Sequence, residues 1–152
     1  MQKQRRERDK VMEENYSELM FEIAKLLQKK YTCMSEINRL TEEMAEELSR
    51  DDRVSVQMTL GMRGEEIEKM QDCNKHLSLF VENVSPEMKD WLLKVLEGGQ
   101  GPSKYGKEGM LVMRLAASIR TAWEKTMAID RHMNKRLAGA DSFYADKQNQ
   151  VM

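Results

Sequence analysis

Proline, cysteine, histidine and aromatic residues are all scarce in this chain, and each scarcity excludes something. Two prolines and eight glycines interrupt 152 residues, and five of the glycines fall between positions 98 and 109. Long stretches therefore contain no helix breaker. Cys33 and Cys73 are the only cysteines, too few for the disulfide framework of a small secreted domain. They read as small buried hydrophobes on apolar helix faces, with no disulfide expected. His76 and His132 are the only histidines, and neither has a second ligand set at zinc-binding spacing. Cys73 and His76 share a helix face, but two ligands do not make a zinc site, and nothing nearby orients the imidazole as the base of a thiol nucleophile. Glu-x-x-His is absent, which removes the di-iron bundle pattern.

Charge of one sign is also lacking. The net charge is −1, so no global basic field exists to hold phosphates, and nucleic-acid binding is not expected. The cluster Lys3, Arg5, Arg6, Arg8 and Lys10 is mixed with Glu7 and Asp9 and reads as a solvated helix start. No run approaches the ~18 uncharged apolar residues of a membrane span. No apolar segment follows the basic N-terminus, so a secretory signal is not expected either. These readings predict a cytoplasmic protein with no membrane insertion.

What the chain does have is charge of both signs, 34% of residues against a usual share of about a quarter, and 14 methionines. Between Met12 and Met44 apolar residues recur four and three apart: Met12, Tyr16, Leu19, Ile23, Leu26, Cys33, Ile37, Leu40 and Met44, with Lys30 as the polar interruption. That spacing keeps one stripe on one side of a helix. A second row, Met20, Leu27, Met34 and Leu48, widens the stripe beyond a two-stranded seam and predicts a bundle. The first helix is expected over about residues 8–50.

Asp51 and Asp52 offer a cap for a second helix. Residues 53–63 alternate apolar and polar as a strand would, but a lone strand has no partner here. The spacing of Val56, Leu60, Ile67, Met70, Leu77, Val81 and Val84 instead predicts a helix over 53–83, with Arg63 and Asn74 in its gaps. Gly61 and Gly64 mark either a close helix approach or a kink. Ser85-Pro86-Glu87 opens a short third helix over 86–97, which Gly98 ends. A flexible glycine-rich loop then fills 98–109. It contains most of a P-loop, Gly101 and Gly106-Lys107, but Glu108 stands where Ser or Thr should ligate magnesium and no strand precedes it. No cofactor, metal or catalytic residue is predicted. A fourth helix is expected over 108–138, with Gly139 as its stop. The acidic pairs read as solvated faces, with Glu65 beside Lys69. Glu47 falls on the stripe near its end and is attributed to fraying.

The stretch from Arg39-Leu40-Thr41 to Met70 resembles the helical hairpin of bacterial flagellar export chaperones of the FlgN and FliT kind. Leu40, Met44 and Leu48 lead to the acidic turn Asp51-Asp52, followed by Val56, Leu60, Arg63, Ile67 and Met70. Asn134 and Leu137 resemble the last helix of that family. The glycine-rich loop is a departure from it. The resemblance implies a non-enzymatic chaperone that shields a secreted flagellar hook-associated or cap subunit before type III export, with the partner packed on the C-terminal helix.

The expectation is an all-α, elongated antiparallel helical bundle with two long helices, a short third and a long fourth. It forms a single domain over 1–152, with loose ends at about 1–8 and 140–152. The candidate partner-binding residues are Trp123, Met127, Met133, Leu137, Phe143 and Tyr144, chosen because aromatic and Met side chains make good anchors. The partner is another protein, and a homodimer stays open. The alternative function is a structural coiled-coil scaffold that self-associates through its heptad stripe.

Overall fold

The computed structural model describes the backbone of residues 2–98 and 100–140, and the side chains of 15–98 and 100–136. Four helices account for it: α1 (Gln2–Ser49), α2 (Arg53–Glu82), α3 (Pro86–Gly98) and α4 (Gly106–Ala140), with no strand among the described residues. The segment 53–63 is helical, because a strand there would have left its backbone groups unpaired. α1 begins at Gln2, so residues 2–8 of the expected loose end are helical backbone. Its 48 residues make a rod about 72 Å long at ~1.5 Å per residue. α4 continues past Gly139 to Ala140.

Local chemistry sets the boundaries. Asp51 adopts a left-handed φ of 55°, and the amides of Asp52 and Asp51 turn back to the carbonyls of Glu47 (2.9 Å) and Leu48 (3.1 Å). This is the Schellman arrangement, with Asp in place of the usual Gly. Asp52 then caps α2, accepting from the Ser55 amide at 3.1 Å and the Ser55 hydroxyl at 2.6 Å. Ser85 caps α3 through the Met88 amide.

α1 is the central element and packs against both α2 and α4. α2 returns antiparallel to it. α4 runs alongside α1 in the same direction: Tyr16 stacks edge-on against Tyr105 at 5.4 Å, and further along both helices Thr126 bonds Asn38. α3 closes the base. Met20, Ile23 and Leu27 of α1 meet Leu77 and Val81, Trp91, Leu92 and Val95, and Val112, Ala116 and Ile119 there.

Contacts from α3 reach the described part of the glycine-rich segment. The Trp91 indole donates to the Pro102 carbonyl at 2.8 Å, a Cβ added at Gly101 would meet Val95 at 3.4 Å and Trp91 at 3.7 Å, and Tyr105 stacks on Trp91 at 4.9 Å. The P-loop-like residues Gly106 and Lys107 form the first turn of α4. Gly61 and Gly64 face open space, with nothing within 4 Å of an added Cβ. They do not mediate a close helix approach.

Candidate partner-binding furrow

Above α3 the apolar core gives way to a polar seam. Arg63 Nη1 donates to Asp130 Oδ1 at 2.9 Å and to Thr41 Oγ1 at 3.2 Å, so one guanidinium joins α2, α4 and α1. Thr126 Oγ1 lies 2.9 Å from Asn38 Oδ1. Nearer the turn, Thr59 donates to the Glu47 carboxylate, 2.7 Å from Oε1. Glu47 is 4% exposed, so fraying does not explain its place on the stripe. It is a buried acceptor with a partner on α2. Among the described residues every buried side-chain nitrogen or oxygen is hydrogen-bonded, which makes the seam tolerable in a protein interior.

The seam also bridges two helices whose backbones stay apart. No Cα of α2 comes within 8 Å of one of α4 among the described residues. The Arg63 side chain spans the interval to Asp130. Leu60 and Ile67 lie one turn either side of Arg63 on α2, and Met127 and Trp123 lie one and two turns before Asp130 on α4. Residues at this spacing share a helix face. The ion pair therefore crosses a furrow with apolar walls. Leu60 is 42% and Trp123 41% exposed, while Ile67 and Met127 are half-buried. The Arg120 guanidinium sits 4.8 Å from the Trp123 ring centroid. A second exposed row, Val54, Met58 and Met62, runs at four-residue intervals along the first half of α2.

The expected partner-binding residues divide. Trp123 and Met127 line the furrow. Met133 is 6% exposed and belongs to the core, because its position on α4 turns it toward α1 rather than outward. The Leu137 side chain, Phe143 and Tyr144 lie outside the described residues. Sequence reasoning missed Asn38, Thr41, Thr126 and Asp130. The available signal was a polar residue at or beside a stripe position on each of two helices, α1 and α4.

A second groove, of 1160 Å³, runs between α1 and α2 and is lined by Cys33, Cys73, Glu66, Lys69 and His76 among others. Burial, and then the neighbouring Glu66 carboxylate, push the Cys33 thiol up. Burial pushes the Lys30 ammonium down. Lys69 pairs with Glu66 at 3.0 Å rather than with Glu65. The His76 Nδ1 is engaged by the Asp72 carbonyl at 2.9 Å. Among the described residues no group of three or more His, Cys, Asp or Glu is placed to hold a metal ion. None of their helices is long and apolar enough to cross a membrane.

The fold defines a helical bundle whose polar seam is flanked by the exposed apolar side chains Leu60 and Trp123. No protein-family model matches the chain, and neither a curated protein nor a solved structure matches it at a significant level.

Proposed function

We propose that this chain is a non-enzymatic chaperone or adaptor that holds an amphipathic helical segment of another protein in the furrow between α2 and α4. The carrying observation is the gap itself. Two long helices whose backbones stay apart are joined by a polar tie, with Leu60 and Trp123 more than 40% exposed beside it. Covering the remaining two-fifths of each such side chain contributes roughly 1 kcal/mol, and the groove geometry suits a helix presenting apolar residues every three and four positions. The resemblance of residues 39–70 to flagellar export chaperones makes a secreted flagellar subunit, met in the cytoplasm before export, the specific partner proposed. The scaffold alternative draws less support. Ile23, Cys33, Ile37, Leu40 and Met44 of the stripe are already buried within one chain, so self-association through them requires unpacking.

Co-expression with candidate secreted flagellar subunits, followed by size-exclusion chromatography, tests this. Co-elution is expected with at least one subunit. The double substitution Leu60→Ser, Trp123→Ser should abolish it while helix content by circular dichroism is unchanged. Absence of any complex, or a complex indifferent to the double substitution, overturns the reading.

A further inference from the structure

Cys33 and Cys73 are the chain's only thiols, one on each helix of the α1–α2 hairpin, and the register of that hairpin sets them opposite one another. Thr59 is fixed to Glu47 by a direct hydrogen bond. Cys33 lies fourteen residues before Glu47, and Cys73 lies fourteen residues after Thr59. Fourteen residues are two heptads, the interval after which an antiparallel helix pair repeats its facing positions. Both side chains are buried, at 8% and 7% exposure, both are free thiols, and both line the groove between α1 and α2. Packed helix axes run about 8–10 Å apart with Cα atoms about 2.3 Å off each axis. Facing Cα atoms are then about 3.4–5.4 Å apart, and the upper part of that range overlaps the ~4.4–6.8 Å that a disulfide spans.

We propose that Cys33 and Cys73 are a modification site, a dithiol that a small disulfide oxidant closes into an intramolecular bond locking α1 to α2. With oxidised glutathione, a thiolate of the pair attacks one glutathione sulfur, giving a mixed disulfide and one glutathione thiolate. The second cysteine, as its thiolate, attacks the protein-side sulfur of that mixed disulfide. The Cys33–Cys73 bond forms and the second glutathione leaves. The two protons lost by the protein thiols end on the two glutathione thiolates, and the oxidised glutathione takes up the two electrons. The open groove admits the oxidant, and intracellular disulfides of this kind are characteristically reversible.

The test uses the full wild-type chain in native buffer with oxidised glutathione. Intact mass should fall by two hydrogen atoms with no glutathione retained, and proteolytic peptides should join Cys33 to Cys73. The species should stay unimolecular on a non-reducing gel, and its thermal midpoint should rise by about 5 °C or more, because cross-linking closes a long loop in the unfolded chain. Dithiothreitol should reverse all of these. Cys33→Ser and Cys73→Ser should each stop at a single glutathione adduct. The proposal is overturned by retained double adducts, by a disulfide-linked dimer, by thiols that do not react, by closure that occurs only in denaturant, or by an internal bond that lowers the midpoint.

Discussion

Arg63 and Asp130 are 67 positions apart in sequence and 2.9 Å apart in space, and they join two helices whose backbones do not touch. Their side chains are 17% and 27% exposed, so each charge depends on the other more than a surface pair does. Arg63→Ala or Asp130→Ala should each cost about 1–3 kcal/mol in urea unfolding, the penalty of leaving a hydrogen-bonded charge half-buried and alone. The double substitution should cost less than the two singles together. Arg63→Lys should recover only part, since one ammonium does not reproduce the guanidinium fork that serves both Asp130 and Thr41.

Three helical glycines should respond in opposite directions. Gly61→Ala and Gly64→Ala place a methyl in open space and remove unfolded-state freedom, so each should stabilise by about 0.4–1 kcal/mol. At Gly109 an added Cβ runs into the Lys104 carbonyl and meets Tyr105, where the left-handed Tyr105 and Gly106 (φ 64° and 69°) fold the loop back over the first turn of α4. Gly109→Ala should lower the thermal midpoint markedly, and a neutral result would show that this turn relaxes freely.

The cap of α2 carries a pH signature. Hydrogen bonds from the Ser55 hydroxyl, and then from the Ser55 amide, hold the Asp52 carboxyl below the ordinary aspartate value of 3.8. A carboxyl depressed in the folded state stabilises fully above its unfolded value, and that contribution is lost as pH falls through the folded value. Asp52→Asn keeps a capping acceptor that does not titrate. The advantage of wild type over this variant should therefore shrink as the thermal midpoint is followed from neutral pH to below 3.8. A constant difference would remove Asp52 from the acid response. The carboxyl is only partly buried, so the effect is small.

The chain's two tryptophans report on different places. Trp91 is 4% exposed and Trp123 41%. Acrylamide should quench Trp123 strongly and Trp91 weakly. Trp123→Phe should leave a blue-shifted, poorly quenched emission. If a partner helix occupies the furrow, its addition should protect wild-type emission from quencher, and emission of the Trp123→Phe variant should not respond.

The helices were legible because their signals are local. Ser85-Pro86, Asp52 and the four-three spacing of α1 each act within a turn or two, and the observed ends lie close to the expected ones except at the N-terminus of α1. The contacts that make the furrow were not legible. Glu47 looked like fraying because its partner Thr59 sits on the next helix, and spacing within one helix carries no record of what lies across from it. Met133 and Trp123 look alike in sequence, both apolar on the same helix. Only the parallel course of α4 along α1 decides that one is covered and the other open. The loop's own residues carry no sign of its hydrogen bond from Trp91, which sits on a different element.

The division of the interior into an apolar base and a hydrogen-bonded upper half implies uneven cooperativity. The base is welded by side chains from all four helices, whereas the upper half combines buried Leu40 and Met44 with a few directional bonds that water can compete for. Amide exchange along α1 should then form a gradient, slow around Ile23 and Leu27 and faster toward Glu47. Opening from the turn end would lend the hairpin the character of a clasp, hinged at its foot.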